Sequence, residues 1–319
     1  MSETLGPVWD VSPEEAAAKG AAARRAALVW RRASVAQRAA ALRRVWDAIV
    51  SRRAEAVAVI REETGKPSLE AELVEFGSAA LLVDYFTANA ERLLGERAAW
   101  TPWFFANKRA SVRRLPRGVV GVIAPWNMPF LIPFGDSFCA MLAGNAVLLK
   151  PSEWTTRTAL WLESVVSATG LLPEGLLTVV PGRGGAGEGV IDASDLVLFT
   201  GSTATGRSVA ARAAAQLKPA ILELGGKHPM IVCADAALER AAAAAAWGAL
   251  SNNGQVCVGV ERVFVEAEAH DAFVAKLRAR VAAVRAGTAP DAELGRFVLP
   301  SALDRVQAQL EDARRKGAL

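Results

Sequence analysis

Val119-Val120-Gly121-Val122-Ile123 and Ala146-Val147-Leu148-Leu149 decide the fold class. Each is a short run with no polar face. A strand buried on one side alternates apolar and polar residues; one buried on both sides does not. Between the two runs, Pro133–Ala143 carries a helical pattern. The alternation continues with apolar runs at Leu177–Val180, Leu196–Phe199 and Ala220–Leu222. Helix patterns at Thr155–Thr169 and Thr205–Gln216 fall between them. Strands that alternate with helices and are apolar throughout predict a parallel sheet covered on both faces.

Working outward, the amino-terminal part reads as helices. Ser12-Pro13-Glu14-Glu15 opens the first, with a capping serine, proline in the first turn and acids near the positive end of the dipole. A second begins near Ser34, with Val35, Leu42, Val45, Trp46, Ile49, Val57 and Ile60 at three-four spacing. Thr64-Gly65-Lys66-Pro67 stops it. A third spans Ser68 to Leu93. Arg109 to Arg117 has no helical stripe and reads as extended chain. After Gly226 a second set begins: strand Met230–Cys233, helix Ala236–Ser251, strand Arg262–Val265, and helices Ala267–Ala286 and Ser301–Lys316. No internal repeats occur.

The bulk numbers exclude several classes. A chain of 319 residues holds two domains with sizeable cores, and 52 % apolar content argues against disorder. The net charge is +4, carried in arginine pairs such as Arg24-Arg25, Arg31-Arg32, Arg43-Arg44 and Arg52-Arg53. These alternate with apolar residues at helical spacing and read as solvated helix faces, not as a nucleic-acid footprint. The three cysteines, Cys139, Cys233 and Cys257, form no CxxC, so a disulfide framework is not expected and a reducing cytoplasm is. Early acids, Glu3 among them, and the lack of a long uncharged apolar stretch point away from a signal peptide or a membrane span.

Two loops could hold phosphate. Gly182-Arg183-Gly184-Gly185-Ala186-Gly187 satisfies GxGxxG and comes after a strand. The dinucleotide fingerprint also needs a helix starting there and an acid about 20 residues on. No helix start is evident, and Asp192 and Asp195 come too soon. Phe199-Thr200-Gly201-Ser202-Thr203-Ala204-Thr205-Gly206-Arg207 leaves a strand and enters a helix. Gly201 allows close backbone approach, and the first helical turn offers free N–H groups. Taken alone, this is equally an ordinary turn with a serine cap. Lys150-Pro151-Ser152-Glu153 ends another strand, where the lysine and the acid suit ribose hydroxyls or form a surface ion pair.

Gln255-Val256-Cys257 carries a thiol with no second cysteine or histidine close by in sequence. Such a thiol is a poor metal ligand or redox partner. It can be a nucleophile if other groups activate it and handle water. Leu222-Glu223-Leu224-Gly225-Gly226-Lys227 and Pro125-Trp126-Asn127 supply candidates. Without further context Cys257 is equally a small buried residue, as Cys139 and Cys233 are expected to be. Glu223 also reads as a strand-end carboxylate held by turn amides, and Asn127, taken alone, reads better as a turn cap before Pro129.

These runs resemble the aldehyde dehydrogenase superfamily in order and spacing over nearly the whole chain. The resemblance includes Glu63-Thr64-Gly65-Lys66-Pro67, Pro125-Trp126-Asn127, Gly144-Asn145, Lys150-Pro151-Ser152-Glu153, Phe199-Thr200-Gly201-Ser202, Glu223 to Lys227, and Gly254-Gln255-Val256-Cys257 with Arg262 beyond it. The runs at Gly201–Arg207, Pro229–Cys233 and Leu303–Gly317 look like bacterial succinate-semialdehyde dehydrogenases. The resemblance implies an α/β fold: a parallel-sheet Rossmann-type cofactor domain over residues 1–225, with an extended segment near 104–118, and an incomplete α/β catalytic domain over 226–319. It implies NAD as cofactor, with NADP as the alternative, a small aldehyde substrate and a homo-dimer or tetramer. Cys257 would attack the aldehyde, Asn127 and the Cys257 N–H would hold the oxyanion, and Glu223 would act as general base. Ile123, Trp126, Lys150, Glu153, Gly184, Phe199, Gly201, Ser202, Thr205 and Leu224 would contact the dinucleotide. Glu153 would accept from ribose hydroxyls and repel a 2′-phosphate, which favours NAD. No metal is implied.

Three departures stand out. His228 comes after Lys227 where the family usually has a small polar residue, and reads as structural. Ser251 stands where some semialdehyde enzymes place an arginine for the distal carboxylate. A Glu-x-Phe-Gly-Pro motif, the rest of the catalytic domain and the subunit-joining tail are expected beyond Leu319. The competing expectation is a truncated homologue that binds dinucleotide or a partner chain but turns over poorly.

Overall fold

The computed structural model describes residues 10–318 apart from 288, 290 and 291; Glu3 and Leu319 lie outside that set. Among the described residues the strands, in chain order, are β1 (Arg97–Ala99), β2 (Ala110–Val112), β3 (Val119–Ile123), β4 (Ala146–Lys150), β5 (Leu177–Val179), β6 (Leu196–Thr200), β7 (Ala220–Glu223), β8 (His228–Val232) and β9 (Val260–Val265). Contacts divide the chain into two compact units. One comprises Met1–Ala56 with Leu73–Glu223, the other Val57–Glu72 with Leu224–Leu319.

The first unit is built on a five-stranded sheet in the order β5-β4-β3-β6-β7, parallel throughout. β3 and β4 are buried at every position, as their unbroken apolar runs require. β7, at the edge, exposes alternate residues. Helices Leu131–Leu142, Thr156–Ala168 and Thr203–Ala215 make the crossovers, each within three residues of the sequence expectation. Trp46, Phe76, Phe130 and Phe134 join the amino-terminal helices to this layer, with Phe76 and Phe130 stacked at 4.2 Å. In the second unit, β8 and β9 pair in parallel, and Val232, Ala242, Ala245 and Phe273 form the core with helices Leu238–Leu250 and Ala267–Ala282.

Helix Pro13–Trp30 begins where its sequence places it, with a full capping box between Ser12 and Glu15. Several expectations change. The helix from Ser34 is two helices, Val35–Ser51 and Arg53–Thr64, parted at Arg52, whose guanidinium turns to Glu55. The second ends at Gly65, whose φ of 71° is the left-handed cap. The helix expected over Ser68–Leu93 contains a π-helical stretch, Ala71–Gly77, before Ser78–Leu94. A helix does begin at the GxGxxG loop: Gly184–Ala193. Its glycines hide the apolar stripe of Ala186, Val190 and Ile191, which is buried. The extended segment is regular only at β2, which pairs antiparallel with β1; Trp103–Phe105 forms a 3-10 turn between them. Cys233 is exposed, not the small buried residue expected, because it falls one residue past the end of β8. All three cysteines are free. Among the described residues no helix is long and apolar enough to cross a membrane.

The π-helical stretch has a structural role. It carries Glu75, fully buried, whose Oε2 accepts from the amides of Phe130 (2.8 Å) and Leu131 (2.9 Å). A carboxylate thus caps helix Leu131–Leu142 from a distant segment. Replacing it leaves one buried and one half-buried donor without that acceptor. Glu75→Ala is expected to lower stability by about 3 kcal/mol, read as a fall in the urea midpoint at unchanged slope.

Candidate functional site

Ile123, at the end of β3, pairs with Lys150 of β4 on one side and Phe199 of β6 on the other. Thr200 pairs with Glu223 of β7. The carboxyl ends of four strands therefore stand level. β3 sits where the connections diverge to either side, and in open α/β sheets ligands bind outside the carboxyl ends at this switch point. The loops and helix starts that leave that edge carry Trp126 and Asn127 after β3, Glu153 after β4, Gly184 after β5, and Gly201, Ser202 and Thr205 after β6. Of the expected dinucleotide contacts, only Leu224 lies elsewhere, at the start of the second unit.

Each loop is built by local chemistry. Lys150 is buried and donates to the Pro151 carbonyl at 2.6 Å. Burial lowers its pKa, against the opposing pull of Glu153 and Asp10. The Ser152 hydroxyl accepts from the Trp154 amide (3.3 Å) and donates to Glu153 (3.4 Å). Ser202 caps helix Thr203–Ala215: its hydroxyl accepts from the Thr205 amide at 3.2 Å and meets the Thr205 hydroxyl at 2.9 Å. Gly201 donates to the Glu223 carbonyl at 3.0 Å, tying β6 to β7 beyond the sheet. The loop before Gly184 is held by Asp10, whose carboxylate accepts from the Arg183 amide at 2.9 Å. Helix Gly184–Ala193 has no side-chain cap, and a Cβ built on Gly184 or Gly185 meets nothing within 4 Å.

A dinucleotide fits this donor set. Two helix amino-termini with open approach suit a pyrophosphate, and the Lys150–Glu153 loop suits hydroxyls. Gly144-Asn145 belongs to the scaffold instead. Asn145 accepts from the amides of Arg117 (2.7 Å) and Gly118 (3.1 Å) and donates to Ala140. Asp192 and Asp195, which come too soon to be the fingerprint acid, hold Arg212 and Arg24.

Glu223 is exposed, and Asn127 and Trp126 are half-buried. Sequence reasoning missed Asp136, which lies close enough to Glu223 to feel its charge. Burial first, and Glu223 second, push the Asp136 carboxyl up to about 6. A signal for it exists in the sequence: it is the one acid in the apolar helix Leu131–Leu142. Cys139, one turn on, is a poor nucleophile, since burial pushes its thiol up to about 12.

Cys257 belongs to the second unit and is exposed. It comes after Asn252, Asn253 and Gly254, which take left-handed φ values of 50°, 58° and 72° in succession. Such a run is costly for L-residues, and asparagine and glycine tolerate it best. Glu70 accepts from the Asn252 amide at 2.7 Å, and Gln255 bonds both the Asn252 carbonyl (2.9 Å) and the Val298 amide (3.0 Å). A tightly braced turn thus presents an exposed thiol.

The description "Aldehyde dehydrogenase family" matches residues 1–319. A 4,4'-diapolycopene aldehyde oxidase of Methylomonas is 42% identical over 92% of this chain and 56% of its own length. A Mycolicibacterium smegmatis protein, provisionally named a succinate-semialdehyde dehydrogenase [NADP(+)], is 37% identical over 96% of this chain and 59% of its own. A solved NAD-dependent aldehyde dehydrogenase from Sinorhizobium meliloti superposes with a TM-score of 0.90 at 33% identity, over 97% of this chain and 62% of that one. The chain therefore spans less than two thirds of the length of these relatives.

Asp136 gives a signed pH test. Its folded pKa of about 6 lies above the ordinary carboxylate value, so the folded state holds the proton more tightly. Its contribution is fully present below about pH 4 and is lost as pH rises through about 6. Asp136→Asn should match the parent near pH 4 and exceed it by about 3 kcal/mol above pH 7, measured by urea titration across that range.

Proposed function

The chain belongs to the aldehyde dehydrogenase family, and from that premise we propose that it serves the NAD(P)-dependent oxidation of an aldehyde to its carboxylate through a thioester on Cys257. The observation that carries this is the exposed, free Cys257 thiol on its braced turn. The sulfur attacks the carbonyl carbon and gives a thiohemiacetal. The Asn127 side-chain amide and the Cys257 N–H hold the negative oxygen; one such donor is worth about 3 kcal/mol. The bound nicotinamide dinucleotide supplies the acceptor for the hydride lost from that carbon. Glu223 takes a proton from water, the water oxygen displaces sulfur, and carboxylate and thiol are released. On the sheet edge, the helix starts at Gly184 and Thr203 offer N–H groups to phosphate, while Lys150 and Glu153 serve the hydroxyls. Glu153 supports NAD over NADP.

Beside Ser251 the second unit has a groove of about 740 Å³, lined by Leu69, Trp247, Leu250 and Leu294 and by the charged Glu70, Glu72, Arg280, Arg285 and Glu293. Ser251 brings no charge, and its hydroxyl donates to the Trp247 carbonyl at 2.6 Å. Trp247 and Leu69 stand open, at 74% and 68% exposure. The lack of a charge at Ser251, together with the relative named a 4,4'-diapolycopene aldehyde oxidase, favours an uncharged, apolar aldehyde. Arg280 on the same wall keeps a semialdehyde as the second reading.

Rapid mixing of the chain with NAD and an aldehyde panel tests both. Cys257→Ala should abolish NADH formation. Glu223→Gln should slow steady turnover at least about a hundredfold while sparing a first burst. Unchanged turnover in Cys257→Ala removes the mechanism; dinucleotide binding with no turnover of any aldehyde favours a binding role instead.

On the panel, long apolar aldehydes should exceed succinic semialdehyde in kcat/KM by at least about tenfold. Ser251→Arg should narrow that gap. A preference for the semialdehyde in the parent chain would reverse the assignment.

A further inference from the structure

His228 reaches the nucleophile's own backbone. Its ring Nε2 lies 3.0 Å from the carbonyl oxygen of Cys257. A carbonyl oxygen only accepts, so the ring donates. Two local features aim it there. Gly226 leaves the space the ring fills: a Cβ on that residue would lie 2.1 Å from Nε2. The β8–β9 register also shifts between His228, opposite Val260, and Pro229, opposite Arg262. A bulge of this kind redirects a side chain, and Pro229 has no N–H with which to close the ladder.

The base of the histidine is itself fixed. Lys227 pairs with Glu261, and its carbonyl accepts from Arg262 Nε at 3.1 Å and Nη2 at 2.8 Å. Cys257 is exposed, so packing does little to orient it. The turn around it closes through the Gly259 amide, which donates to Val256 at 3.1 Å.

We propose that His228 is a positioning residue for Cys257, its ring N–H locking the peptide just past the nucleophile and so the direction of the Cα–Cβ bond. The proposal rests on Cys257 being the nucleophile. It gives a role to the one residue of the Glu223–His228 run that departs from the family's usual small polar choice. A side chain of matching length with a donor should replace it; one without should not.

Hydrogen exchange on the full chain tests it without requiring turnover. In His228→Ala, the segment 255–260 should exchange at least about fivefold faster, with helix Ala267–Ala282 unchanged. His228→Gln, whose amide reaches as far, should restore parental exchange. Where turnover is measured, His228→Ala should lower kcat about tenfold and leave KM within about twofold, because attack geometry changes and binding does not. Parental exchange of 255–260 in His228→Ala overturns the proposal. Should that variant exchange fast everywhere, His228→Gln decides: parental exchange supports the role, and fast exchange at 255–260 sinks it. Full turnover by Cys257→Ala would instead remove the nucleophile itself and leave the exchange result standing.

Discussion

The register of β3 is the constraint on which the rest of the first unit depends. β3 is buried at all five positions, between β4 and β6. A slip of one residue would exchange its two faces and dislodge the layers that cover it. Its amino end is pinned by side chains. Asn145 accepts from the amides of Arg117 and Gly118, and Asp195 accepts from Val119 at 2.8 Å while holding Arg24. Three successive amides are thus claimed as the strand starts. Beyond its far end the chain leaves as Pro125-Trp126-Asn127. The placement of the Asn127 turn is therefore set at the opposite end of the strand, by residues with no part in the chemistry.

The chain beyond that turn is anchored in the same manner. Glu75 caps the helix entered at Leu131, so both flanks of the Asn127 loop are fixed by buried polar groups from distant segments. A loop between two such anchors loses little further freedom on binding a ligand. The sheet edge also gathers ionisable groups that burial perturbs. Lys150 is buried at the end of β4, and burial together with Glu223 keeps Asp136 protonated up to about pH 6. Such opposed perturbations mark edges where a polar ligand replaces water.

Much of this is legible in the sequence because the strands carry their burial as composition. Val119–Ile123 reads to the residue, and β4, β5 and β6 to within one, since unbroken apolar runs have few alternatives. Capping chemistry is equally direct at Ser12 and Ser202. Helix Gly184–Ala193 is not legible, because glycine-rich sequence reads as loop whether or not its N–H groups are paired. Nor is the π-helical stretch around Glu75, whose donors lie far along the chain. Local pattern cannot report a contact between residues that far apart.

The candidate site divides in the same way. Residue types at strand ends can be named from sequence, since a parallel sheet puts all carboxyl ends on one edge. What those side chains do cannot. Ser202 and Thr205 are engaged with each other, Gly201 is held by the Glu223 carbonyl, and Gly144-Asn145 turns out to anchor β3. A motif therefore mixes residues that meet a ligand with residues that hold the backbone for those that do. The turn before Cys257 is the sharper case. Three left-handed residues in a row hold no attraction for a substrate; their cost is tolerated because Glu70 and Gln255 brace them. Strain kept in place by polar bonds, beside an exposed thiol, is what separates Cys257 from Cys139 and Cys233.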